Sequence, residues 1–113
     1  MKVTNGTSRD ATVRLLDAVT HRTARFFYIR ADHDYTVGHI EPGTYIVQFS
    51  TGLDWVTACR RFIRDASYQK FDERLEFDET GNGYELTLHE VPGGHATTTS
   101  IDEFEFFQGD ENI

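Results

Sequence analysis

Glu41-Pro42-Gly43-Thr44-Tyr45-Ile46-Val47-Gln48-Phe49 is the stretch that decides the fold class. Pro42 presets one backbone angle of a tight turn and Gly43 accepts the next. Five of the six residues that follow are β-branched or aromatic, which suits the pleated, half-buried surface of a strand. Upstream, Tyr35–Ile40 reads as the strand entering this turn, and Asp32-His33-Asp34 as the turn before it. Arg25–Arg30 is apolar on both faces, as expected of a central strand. Thr12–Asp17 alternates, with Val13 and Leu15 inward. Met1–Asp10 reads as a polar lead-in punctuated by the Asn5-Gly6 turn.

Downstream, Tyr68–Phe71, Leu75–Phe77 and Tyr84–His89 alternate as strands do. Gly81-Asn82-Gly83 marks a hairpin turn and Pro92-Gly93-Gly94 another. Thr97–Phe107 closes the chain, with Ile101, Phe104 and Phe106 inward. The pattern predicts an all-β fold, a seven- to eight-stranded antiparallel Greek-key sandwich. It assigns residues 1–107 to one domain and 108–113 to a frayed acidic tail. Ser50–Ser67 carries two readings. Trp55, Cys59, Phe62 and Ile63 recur at helical spacing behind a capping Asp54, which gives a short helix near 54–64. A crossover loop pinned by Trp55 and Phe62 is the alternative.

The 113 residues suit one core. No apolar run approaches the ~20 residues of a membrane-spanning helix, and the first ten residues hold no hydrophobic segment of the signal-peptide type. A cytoplasmic, membrane-free protein is the expectation. Cys59 is the only cysteine; no internal disulfide can form, and a buried, inert thiol is expected. Net charge is −8, unevenly spread. Residues 1–30 carry six basic and two acidic side chains, and residues 72–113 carry twelve acidic ones against Arg74 alone. This balance argues against binding nucleic acid directly; the asymmetry fits an interaction face and, equally, a solvated acidic surface that keeps the protein in solution.

The polar residues assemble no catalytic set. Asp32-His33-Asp34 suits a turn better than a metal site. His89 and His95 bracket the Pro-Gly-Gly turn and lack the further ligands that zinc requires. The sequence holds no phosphate-binding glycine loop and no nucleophile elbow, and Glu76 and Asp78 fall on the face opposite Leu75 and Phe77. Asn5-Gly6-Thr7 fits a glycosylation acceptor that matters only in a secreted chain. No enzyme, cofactor or metal is expected. The candidate partner-binding residues are Trp55, Arg60, Arg61, Arg64 and Tyr68, of the types enriched at protein interfaces, with the acidic Asp72, Glu73, Glu76 and Glu79. Tyr28, Tyr35 and Tyr84 add to the supply of aromatics.

Tyr35, Val37 and Ile40, then Pro42-Gly43-Thr44-Tyr45, then Val47 and Phe49 form a phrase that resembles the core hairpin of carboxypeptidase regulatory-like domains, which have a transthyretin (prealbumin)-like fold. Val13, Leu15 and Asp17 match an earlier strand of that family. Thr51–Trp55, Phe62 and Tyr68-Gln69-Lys70-Phe71 look like its bacterial members. The resemblance covers residues 11–105 and implies a non-catalytic folding, docking or carbohydrate-binding module, in a fold whose sheets often pair edge to edge as homodimers. The hydrolase branch of the fold ends in a Tyr-Arg-Gly-Ser type motif, whereas this chain ends Gly109-Asp110-Glu111-Asn112-Ile113. The leading expectation is a protein-interaction module. A small acidic inhibitor of the phage-encoded kind, mimicking nucleic-acid charge in a basic cleft, is the alternative, and a transthyretin-like hydrolase the third reading.

Overall fold

The computed structural model describes residues 1–78, 85–89 and 98–111. Among them the chain forms nine strands and one helix. The strands are β1 (Lys2–Asn5), β2 (Asp10–Asp17), β3 (Thr23–Ile29), β4 (Asp34–Thr36), β5 (Gly43–Val56), β6 (Arg61–Phe71), β7 (Leu75–Phe77), β8 (Glu85–Leu88) and β9 (Thr98–Ser100); the helix is α1 (Glu103–Glu111). A smaller sheet has the order β4-β1-β8, and a larger one the order β3-β2-β5-β6-β9. β7 joins the larger sheet on β5, pairing Gly43–Tyr45, while β6 pairs the same strand from Gln48 onward.

The fold is all-β, and its main core lies between the sheets. Val3 and Leu88 of the smaller sheet, with Val37, meet Val13, Leu15, Val47, Phe49 and Phe27 of the larger. β2 is central and buried on both faces. Ala11, Val13 and Leu15 point into this core, each fully buried, while Thr12, Arg14 and Leu16 turn to the opposite face and are buried there as well. α1 lies on that second face, and it positions the candidate site.

Several expectations change. Residues 54–64 are not a helix but the end of a β5–β6 hairpin, in which Trp55 pairs with Phe62 and Val56 with Arg61 across the four-residue turn Thr57–Arg60. A four-residue turn sets its second cross-strand pair seven residues apart, which imitates two turns of helix. Cys59 sits in this turn, exposed rather than buried. The helix forms instead at the C-terminal end, where alternation had suggested a strand. Asp102 caps it, its Oδ1 accepting the Glu105 backbone N–H at 2.7 Å. Phe106 is fully buried, but Phe104 is 67% exposed rather than inward. The backbone of residues 108–111 continues the helix where a frayed tail was expected.

β3 is an edge strand, not a central one; Phe26 and Tyr28 on its second face are only partly covered, by the β5–β6 hairpin, so apolar residues on both faces do not require a strand neighbour on both edges. The lead-in contains β1, the middle strand of the smaller sheet. β1 runs antiparallel to β4 and parallel to β8, so the pairing is not wholly antiparallel. The strand expected over 35–40 shortens to β4, although Val37 and Ile40 remain in the core. Asn5 is fully buried, its Nδ2 donating to the carbonyls of Arg9 and Ile29. The turns at 81–83 and 92–94, with His95, lie outside the described residues.

Candidate functional site

Beyond Ser50, β5 and β6 continue as a two-stranded arm that folds over the second face of the larger sheet. The pairing shifts between Thr51 and Leu53, and such a bulge sharpens local twist. Asp54 and Asp65 adopt left-handed backbone angles here (φ 56° and 52°), which Asp tolerates better than most residues. Arg64 Nε meets Asp54 at 3.1 Å, and Arg9 donates to the Asp65 carbonyl at 3.2 Å. Gly52 permits the bend: a Cβ there would lie 2.6 Å from Phe62 Cβ.

The arm lays Trp55 and Phe62 on β3. The Trp55 ring centroid is 5.1 Å from Phe62, 5.3 Å from Tyr28 and 6.5 Å from Phe26. Tyr28 donates its hydroxyl to an Asp10 carboxylate oxygen. Burial, reinforced by this bond to an anion, pushes its pKa up to about 12. At the tip, Arg60 holds a left-handed backbone (φ 55°) and places its guanidinium 4.7 Å from the centre of Phe26. A non-glycine residue in this conformation stores about 1 kcal/mol or more of strain, and a glycine would avoid it. The cation–π contact offsets part of that cost.

α1 continues the face. Tyr68 packs on Phe106 and Phe107 at 5.1 and 6.0 Å, and burial raises its pKa above the ordinary phenol value. Arg14, fully buried, donates to Thr23 Oγ1 at 2.9 Å. Its guanidinium lies 4.5 Å from the Phe26 ring and 4.9 Å from Phe106, linking β3 and α1. Arg61 stands over Phe107 and pairs with Glu103. Arg61, Glu103, Phe104 and Phe107 line a shallow hollow of about 270 Å³. Ile63 is 64% exposed on the arm.

The structure thus brings Trp55, Arg60, Arg61 and Arg64 together on the arm, with Tyr68 further along β6 beneath α1. Asp72 and Glu73 follow the opposite end of β6, about 30 Å of strand away; there Asp72 accepts a hydrogen bond from the Thr99 hydroxyl. Glu76 is exposed on β7, opposite Thr44, and Glu79 lies outside the described residues. Phe26, Phe106, Phe107 and Arg14 also belong to the face, although the sequence places none of them among the candidate binding residues. Asp102-Glu103-Phe104-Glu105 is a capping-box phrase that signals the helix bearing two of them.

Among the described residues no group of three or more His, Cys, Asp or Glu could hold a metal ion. His33 Nδ1 contacts the Ala31 carbonyl at 2.9 Å, within its own turn. No helix among the described residues is long and apolar enough to cross a membrane. Comparison with family models, curated proteins and solved structures gives no match. What fold and face define is a class: a two-sheet β domain bearing a folded-over aromatic and arginine arm.

Proposed function

We propose that this chain is a non-enzymatic docking module that binds a protein partner through the arm at residues 53–64 and the adjoining Phe104. The observation that carries the reading is Arg60, held in a strained left-handed turn against Phe26. It is flanked by exposed Ile63 and half-buried Trp55. Strain kept at an exposed tip, where glycine would be more stable, suggests a side chain retained for what it contacts. Trp, Arg and Tyr are also the residues that dominate binding energy at protein interfaces. The resemblance to carboxypeptidase regulatory-like domains fits a docking role. A cytoplasmic setting and an edge-paired homodimer belong to the same reading.

The charge-mimic alternative draws less support. Glu103 and Glu105 face Arg61 and Lys70, so part of the acidic third is neutralised within the molecule.

The test is capture from host extract on immobilised protein, comparing wild type with Ile63→Asp, Arg60→Gly and Val19→Asp. Val19 is 87% exposed in the turn after β2 and serves as the control. A partner retained by wild type and Val19→Asp but lost by Ile63→Asp and Arg60→Gly is expected. Retention by all four, or loss by Val19→Asp alone, rejects the arm as the docking surface.

A further inference from the structure

A second feature lies on the same face of the larger sheet, toward the end opposite the arm. Leu16, His21, Ile46, Gln48, Lys70, Arg74 and Glu105 line a cleft of about 220 Å³, room for about seven waters at liquid density. Its floor is apolar where Leu16 and Ile46 contribute. Gln48 is only 2% exposed, yet its Oε1 has no hydrogen-bond partner among the described residues. Leaving a buried acceptor unpaired is costly, and native structures contain few such groups.

The charge around the cleft is the reverse of the molecule's. Among the described residues that line it, Lys70 and Arg74 face one carboxylate, Glu105, in a protein of net charge −8. Lys70 Nζ lies 3.7 Å from a Glu105 carboxylate oxygen, whereas Arg74 enters no ion pair among the described residues. Its planar fork suits a carboxylate, which it can bind with two parallel hydrogen bonds. The Gln48 amide calls for a hydroxyl, which both donates and accepts and so satisfies the amide whichever way its end is turned.

We propose that this cleft binds a small hydroxycarboxylate, a ligand of lactate to gluconate size, with its carboxylate on Arg74 and a hydroxyl on Gln48. The site is separate from the docking arm and does not depend on it. His21 and Lys70 complete the polar rim, and Leu16 and Ile46 take the carbon chain.

The test is a titration of isotope-labelled protein, following backbone amide shifts, with four probes: gluconate, hexanoate (the anion without hydroxyls), sorbitol (hydroxyls without the anion) and inorganic phosphate. Saturable shifts at Leu16, His21, Gln48 and Lys70 are expected with gluconate. Hexanoate, which lacks the hydroxyl for Gln48, and sorbitol, which lacks the carboxylate for Arg74, should each bind about tenfold more weakly or worse. Arg74→Gln, at an exposed position, should weaken gluconate by about tenfold. Gln48→Leu should bring gluconate down to the level of hexanoate. Equal binding of gluconate and hexanoate overturns the role of Gln48. Phosphate binding more tightly than gluconate overturns the ligand class, and the absence of cleft shifts with every probe overturns the site.

Discussion

Gly52→Ala tests the feature on which the docking face depends, the close approach of β5 to β6 at the base of the arm. The added Cβ would stand 2.6 Å from Phe62 Cβ, 2.9 Å from Phe62 Cγ and 3.2 Å from Ala66 Cα. Carbon pairs are comfortable at about 3.5–4.0 Å, so the nearest overlap is about 1 Å. Phe62 cannot easily yield, being 3% exposed with Trp55 and Tyr28 against it; Ala66 meets the new methyl with backbone. Overpacking of this kind costs about 1–3 kcal/mol. Alanine returns about 0.4–1 kcal/mol by restricting the unfolded chain, leaving a net loss of about 1–2 kcal/mol. For a domain of this length that is a fall of roughly 4–8 °C in Tm. Trp55 is the only tryptophan, so its fluorescence reports on the arm directly. Its emission should shift to the red in Gly52→Ala. Phe62→Leu on that background should recover part of the loss, a non-additivity that a double-mutant cycle reads. If Gly52→Ala is as stable as wild type and its emission is unchanged, the argument from close approach is wrong.

Three further outcomes are expected. Asp102→Ala removes the cap of α1 and should cost about 1 kcal/mol, seen as faster amide exchange over residues 103–111. In spectrophotometric titration one tyrosine should titrate near pH 12, and Tyr28→Phe should remove it. Because folding favours the neutral Tyr28 ring, its contribution to stability is whole below pH 10 and lost as pH rises toward about 12, so Tyr28→Phe should flatten that alkaline decline in chemical unfolding. Cys59, exposed in the arm's turn, should react fully with a thiol reagent in the native protein, without the lag that an unfolding step would impose.

The sequence by itself determined the strands that carry their own pattern. Thr12–Asp17, Thr44–Phe49 and Leu75–Phe77 alternate or concentrate β-branched and aromatic residues, and local physics alone makes them strands. It also determined which side of β2 faces the core, since a period of two leaves Val13 and Leu15 together. Trp55, Arg60, Arg61 and Arg64 were legible as a set because residue chemistry marks interface candidates wherever they lie.

Tertiary structure decided the rest, for identifiable reasons. β1 is four residues long and takes its partners from Asp34–Thr36 and Glu85–Leu88, pairings too distant for any local window. Residues 54–64 satisfy a helical spacing and a hairpin equally, and what selects the hairpin is the aromatic surface of Phe26 and Tyr28 waiting for Trp55 and Phe62. Alternation puts Arg14 opposite the core, where solvent would be the simple reading. Only its neighbour β3 and the docked helix bury it, among Phe26, Phe106 and Phe107. Gln48 reads as a polar interruption in a strand until Lys70, Arg74 and Glu105 are brought beside it. The strongly patterned strands follow from neighbours in sequence, whereas β1, the 54–64 hairpin and both candidate sites come from contacts across the sheets, which the strand pattern leaves open.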